Sequence, residues 1–222
     1  MVDPSRPRTS MPPGSPKWRR RKEARPAEIV QAALEVFAEK GFAAAKLDLI
    51  AARAGVSKGA LYLYFETKED LFRAVVRDAV APNIQAIKAM AGGYEGSFAD
   101  LARTVFPVIA DRMQTLSLGA VAKMVIGESR NFPELARVWH DNVVLEGVGL
   151  LSGLIEKAQT RGEVRPGDPR IHAFSLMGPL LLGVIWRETF TPIGGAEIDL
   201  PAIARQHVET VLGGMLIEEA HP

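Results

Sequence analysis

The sequence predicts an all-α chain: an N-terminal three-helix domain carrying a helix-turn-helix, then a larger helical bundle. Apolar residues recur at three- and four-residue spacing in every long segment, and no stretch alternates as a half-buried strand would. The breaks between these segments are short and carry Gly, Pro or a capping Ser, Thr or Asp. The charge is also divided. Residues 1–75 hold 14 Lys and Arg against 9 Asp and Glu, whereas residues 76–222 hold 13 against 17, within a net charge of +1. A basic front suits a polyanion and an acidic remainder does not, so the two parts have different tasks.

Each element follows in order. Residues 1–25 are poor in apolar side chains and rich in Pro, Ser and basic residues, which predicts disorder in isolation. The KWRRRKEAR stretch, 17–25, reads either as a solvated tail or as an arm that follows phosphates or enters a minor groove. A first helix spans 26–40, with Pro26 in its first turn and Ile29, Ala33 and Phe37 on one face, and Gly41 stops it. Helices follow over 47–54 and 58–64. Thr67, with Asp70 three residues on, opens a fourth helix over 68–90, which Gly92, Gly93 and Gly96 terminate. Further helices cover 98–114, 116–130, 133–161, 169–190 and 200–217, and Asp168 ahead of Pro169 marks one of their starts.

Several classes are excluded or disfavoured. With no cysteine there are no disulfides or thiolate metal sites, and a 47% hydrophobic share argues against global disorder. The longest uncharged run, 171–186, has 16 residues, short of the ~20 that span a bilayer. It reads as a buried or interface helix, and no secretory signal precedes it, so a soluble, cytoplasmic chain without membrane partners is expected. His140, His172, His207 and His221 are scattered, with no metal-ligand pairing. Gly147, Gly149 and Gly153 lie inside a helix at the wrong spacing for a dinucleotide turn. No enzyme, metal or cofactor is expected.

The segment 50–65, IAARAGVSKGALYLYF, is the most informative. Ala51 lets two crossing helices approach, Gly55 suits the left-handed end of the first, Val56 plugs the turn and Ser57 caps the second. That is a helix-turn-helix, whose second helix enters the major groove of DNA. Leu61 and Phe65 face inward with Val56, Ile50 and Phe37, while Lys58 and Tyr62 share another face beside Gly59. Lys58 is placed for a guanine edge or a phosphate, and Gly59 for close backbone approach. Tyr62 and Tyr64 are placed to donate hydroxyls to phosphates, with amphipathic packing as the alternative. Lys68, with the first N–H groups of its helix, offers a further phosphate site, its alternative being a solvated charge.

Residues 26–75, and above all GFAAAKLDLIAARAGVSKGALYLYFETKEDLF at 41–72, resemble the DNA-binding domain of the TetR/AcrR family of bacterial regulators. Gly41-Phe42, Ile50-Ala51, Gly55-Val56-Ser57, Lys58-Gly59, Leu61-Tyr62, Phe65, Lys68-Glu69 and Leu71 fall at the family spacing. There are two departures. Lys46 stands where the family usually has a capping Thr or Ser, though its charge still suits a phosphate, and Ala60 replaces a frequent Thr. The resemblance implies DNA contacts at Lys46, Ser57, Lys58, Gly59, Ala60, Tyr62, Tyr64 and Lys68.

It also implies that residues 76–222 form an effector-binding and dimerisation domain, and the segment 132–190, with its connection RGEVRPGDP, is similar to the C-terminal half of many members. The last two long helices usually build the dimer, here with Gly178, Leu181, Leu182, Ile185, Val208, Val211 and Leu212, unless those pack within one subunit. Pocket candidates are Phe98, Phe106, Met113, Met124, Trp139, Phe174, Met177 and Trp186, unless they are plain core. They carry no concentrated charge, which points to an apolar or weakly polar effector. The function implied is a homodimeric regulator, a repressor relieved by a small molecule. Its two reading helices would meet half-sites ~34–36 Å apart on a palindromic DNA operator. Alternatives are an activator, a ligand-independent regulator, or a helical scaffold or enzyme that makes no use of DNA.

Overall fold

The computed structural model describes residues 17–217, with side chains from Pro26 onward. Residues 1–16 of the expected arm, and His221, lie outside the described residues. From Lys17 the backbone is already helical: α1 spans Lys17–Ala44, with Pro26 inside it. Its start lies nine residues before the expected one. Lys, Arg, Glu and Ala are good helix formers with no Gly among them, and proline costs an established helix only one backbone bond plus local crowding. Gly41 interrupts α1 at φ 75° and ψ 170°, so the chain does turn where the stop is expected.

Two short helices follow, α2 (Leu47–Arg53) and α3 (Lys58–Tyr62). Gly55 takes φ 66° between them, and Val56 N–H closes the turn by donating to the Ala51 carbonyl at 3.0 Å. The head is built on three phenylalanines, with ring centroids of Phe37, Phe42 and Phe72 5.4–6.0 Å apart and Ile50 and Leu61 fully buried beside them. Arg53 of α2 donates through both terminal nitrogens to the Glu39 carboxylate of α1, fixing the crossing of the two helices.

Helix α4 (Lys68–Val75) opens on a complete capping box between Thr67 and Asp70. It continues through a π-helical turn, Val76–Val80, into α5 (Ala81–Gly92). The expected single helix over 68–90 is therefore one rod with a widened turn. Pro82 supplies the reason: it lacks an N–H and its ring crowds the carbonyl four residues back. Asn83 Nδ2 donates to the Ala79 carbonyl at 2.9 Å and to the Val80 carbonyl at 3.4 Å, fastening its side chain to the widened turn. A second rod is built alike, from α8 (Pro133–Trp139), a π turn at His140–Val144 and α9 (Leu145–Thr160). The two π turns pack against each other.

The body is completed by α6 (Phe98–Thr115), α7 (Leu118–Glu128), α10 (Pro169–Thr189) and α11 (Leu200–Met215). Its core gathers Phe106, Ile155, Leu176, Leu180, Val184 and Leu212. Helix α11 lies along α6 and α10. Val208 and Leu212 are each 1% exposed within this core and Val211 packs on it. Val208 and Leu212 are thus corrected from interface to interior, because the apolar stripe of α11 covers its own subunit, while Val211 is half-buried at its margin. Periodicity reveals a stripe and not the neighbour that covers it. Among the described residues there is no strand, and no helix is long and apolar enough to cross a membrane.

Candidate nucleic-acid interface and internal cavity

Ser57 caps α3 as its sequence position demands, its hydroxyl accepting from the Ala60 N–H at 3.2 Å. Leu61 and Phe65 are buried and hold the helix by one side. Lys58, Gly59, Tyr62 and Leu63 lie outward, Tyr62 43% and Leu63 84% exposed, and a Cβ built at Gly59 meets nothing within 4 Å. Lys46 is exposed at the start of α2 without a side-chain cap, Tyr64 is exposed and Ala60 half-buried. Leu63 was not singled out from sequence because a leucine reads as core. Its offset of ~200° from Leu61 on a helix is the signal that places it outside.

Lys58 carries a partner. Its ammonium lies 2.8 Å and 3.0 Å from the two Asp48 carboxylate oxygens, and 6.0 Å from the Tyr62 ring centroid. The hydrogen bond to Asp48 raises its pKa. Both partners are largely exposed, so the pair contributes little stability and is easily exchanged for a phosphate.

Lys68 is a correction. Its ammonium donates to the carbonyls of Phe42 at 2.5 Å, Ala45 at 3.1 Å and Ala43 at 3.2 Å, and sits 4.5 Å from the Phe42 ring centroid. A lysine has three N–H donors, and all are engaged here. The side chain caps the segment leaving α1, so the solvent-facing ammonium expected from sequence is already partnered within the protein. The same segment is gripped from the body: Glu128, the last residue of α7, accepts the Phe42 and Ala43 N–H groups at 2.7 Å each. Arg73 of α4 reaches Glu134 of α8 at 2.9 Å, a second link between head and body.

Behind these links lies a cavity of about 340 Å³, walled by α5, α6, α7, α9, α10, the end of α8 and both π turns. Of the residues named from sequence as pocket candidates, Phe98, Phe106, Met113, Trp139, Phe174 and Met177 line this cavity. Met124 and Trp186 do not. Met124 is buried where head and body meet, with Val121 and Val125, while the Trp186 indole donates to the Ala196 carbonyl at 3.0 Å and its ring lies 5.1 Å from Phe190. Apart from Asn83, Arg112 and the Trp139 indole, the lining is apolar side chain and glycine. Neither Asn83 nor Arg112 was singled out from sequence. Nothing in the spacing of lone polar residues says which of them turn into a cavity. A second, more polar cavity of about 540 Å³ lies beyond Phe98 and Leu101, beside Lys88, Tyr94, Lys157 and Arg161.

The outer face of α10 is apolar and open, with Ile171, Phe174, Leu181, Leu182 and Trp186 exposed and Ile185 half-buried. Gly178 and Leu181 share this exposed face with Phe174, and all three also line the 340 Å³ cavity. Elsewhere His140 pairs with Asp141 at 2.8 Å and His207 with the Ser175 carbonyl at 2.9 Å. Among the described residues no group of three His, Asp or Glu could hold a metal ion.

Residues 29–75 match the family described as bacterial regulatory proteins, tetR family, and residues 96–213 match the C-terminal domain of AefR-like transcriptional repressors. The chain is 26% identical over 196 residues to the fatty acid metabolism regulator protein of Bacillus subtilis (strain 168), spanning 85% of this chain and 94% of that one. It is 30% identical over 206 residues to the HTH-type transcriptional regulator RutR of Escherichia coli (strain K12), spanning 82% and 84%. The solved structure of the regulator FadR from Bacillus subtilis in complex with stearoyl-CoA shares the fold at TM-score 0.70 and 21% identity, over 85% of this chain and 98% of that one. With an exposed helix α3 in front, an apolar cavity behind and both parts matched in order, the chain belongs to the tetR family of bacterial regulatory proteins, with the C-terminal domain of its transcriptional repressors.

Proposed function

We propose that two copies of the chain join through the outer face of α10 and present their α3 helices to the half-sites of a palindromic operator. Lys58, Gly59, Tyr62 and Leu63 would face the groove, with Lys46 and Tyr64 on flanking phosphates. The exposure of that side of α3, opposite a fully buried Leu61, carries this reading. Phosphate contacts position such a helix and base edges specify its site. Leu182 at 64% exposed and Phe174 at 63% support the dimer face, since contiguous apolar surface of this kind marks interaction sites.

An effector in the apolar cavity would release the operator. The cavity touches both the α10 face and the α4–α5 rod, so its occupant bears on dimer geometry and on head position together. The shift it produces is limited by its differential affinity for the two arrangements. The stearoyl-CoA held by the Bacillus subtilis protein supports an effector with a substantial apolar part. The test is a gel-shift titration on a palindromic operator. Tyr62→Ala should lose binding while light scattering still reports a dimer, and Leu182→Glu should lose both. Full operator affinity in Tyr62→Ala would remove α3 from the interface.

A further inference from the structure

The cavity holds one charge that the fold leaves unbalanced. Arg112, in the last turn of α6, lines the cavity half-buried, and no Asp or Glu lines it with Arg112. Among the described residues it makes no ion pair, and its guanidinium has one hydrogen bond, from Nη1 to the Asn83 side-chain oxygen at 3.2 Å. A guanidinium carries five N–H donors, so most of its fork is unused. The C-terminal dipole of α6 favours a cation there but supplies no partner for those donors. Asn83 is itself held, its Nδ2 on the Ala79 and Val80 carbonyls, so its oxygen stays aimed at Arg112. A cation beside an otherwise apolar lining is costly until an anion joins it, and a planar carboxylate fits the fork in two parallel hydrogen bonds.

We propose that Arg112 is the anion-binding pole of the effector cavity, and that the effector is an amphiphile with an apolar body and a single carboxylate. This rests on the cavity being the effector site and replaces the apolar or weakly polar effector expected from sequence. The carboxylate takes the free edge of the guanidinium while the apolar body fills the space toward Phe106 and Phe98. The anion acts beside Asn83, one turn from the π turn of the α4–α5 rod, so its arrival is felt in the element that carries the head.

The probes are dodecanoate and dodecanol, which share a chain and differ in charge, titrated calorimetrically into the full protein and into Arg112→Met and Arg112→Lys. Dodecanoate should bind the wild type at least about tenfold more tightly than dodecanol, the range of a charge-assisted pair. Arg112→Met should bring that ratio to about one with dodecanol affinity unchanged, which also shows the cavity is intact, and Arg112→Lys should retain part of it. Equal affinities in the wild type, or a ratio that survives in Arg112→Met, would overturn the anion pole and leave the apolar cavity standing. If neither probe binds the wild type, both readings fall.

Discussion

Replacing Glu128 by alanine tests the joint between the two halves of the molecule. The Glu128 carboxylate accepts two backbone N–H groups from the α1 kink at 2.7 Å each. A hydrogen bond to a charged group contributes about 1.5–3 kcal/mol, and two would suggest twice that. The sum overstates the effect, because the Ala43 bond is exposed and water replaces the lost acceptor, while only the Phe42 bond is partly buried. The expected loss is therefore about 2 kcal/mol. For a chain of this size each kcal/mol moves the melting temperature by about 2–4 °C, so a drop of about 4–8 °C is expected in calorimetry. Operator affinity, read by fluorescence anisotropy, should fall with no change in its dependence on salt, since no phosphate contact is lost. Glu128→Gln, which keeps one acceptor, should lie between. An unchanged melting temperature together with unchanged affinity would mean the kink does not depend on this carboxylate.

Three further outcomes follow from neighbouring geometry. Gly41 has φ 75°, and a Cβ there would lie 2.5 Å from Glu128 Oε1, so Gly41→Ala should lower the melting temperature, and by less in a Glu128→Ala background; additive effects in that double-mutant cycle would contradict the contact. Asp48→Asn removes the anion that holds Lys58 and should tighten operator binding several-fold at low salt; no change in both Asp48→Asn and Lys58→Ala would take Lys58 off the DNA. Glu163 is held below its ordinary 4.5 by the Arg161 hydrogen bond and by the Phe98 N–H, against some opposing desolvation. A depressed carboxyl stabilises the fold above its unfolded value and loses that contribution as pH falls through the folded one, so thermal melts of Glu163→Gln should vary less steeply with pH below about 4.5 than the wild type. Parallel curves would show that the interaction carries no net stability.

The head was legible in the sequence because each of its decisions is local. Ser57 capping three residues ahead, Gly55 at positive φ and a buried Leu61 beside an exposed Tyr62 are consequences of spacing within one turn. Lys68 failed that logic. A cation at the start of a helix reads as surface charge, and only the tertiary return of the 42–45 segment makes it a cap. The body was legible as helices and not as contacts. The stripe of α11 and the stripe of α10 look alike in sequence, yet Val208 and Leu212 are buried while Leu182 is bare. The π turns left no trace in the apolar pattern, because one extra residue in a turn shifts the period by less than the scatter of that pattern. Arg112 is a similar case: its significance lies in the carboxylate it lacks, and absence of a partner is a property of the fold.

Both routes from cavity to head end on the same few atoms. One is the α4–α5 rod, which touches the cavity at Val80 and Asn83 and ends at Lys68 on the carbonyls of Phe42, Ala43 and Ala45. The other is α7, which touches the cavity at Leu118 and Ala122 and ends at Glu128 on the N–H groups of Phe42 and Ala43. A cation on the carbonyls and an anion on the amides fix the orientation of those peptides, and through them the direction in which α2 and α3 leave α1. If a ligand shifts the rod relative to α7, the two grips cannot both be kept, and the peptides must turn or one bond set must open. A ligand that favours one grip over the other would thereby couple occupancy of the cavity to the direction of the head, to the extent of its differential affinity for the two arrangements. Glu128→Ala and Lys68→Met each remove one grip. Both should therefore reduce the ratio of operator affinities without and with effector, and more than they reduce the affinity of the free protein, whereas equal loss in both states would show that the grips only support the fold.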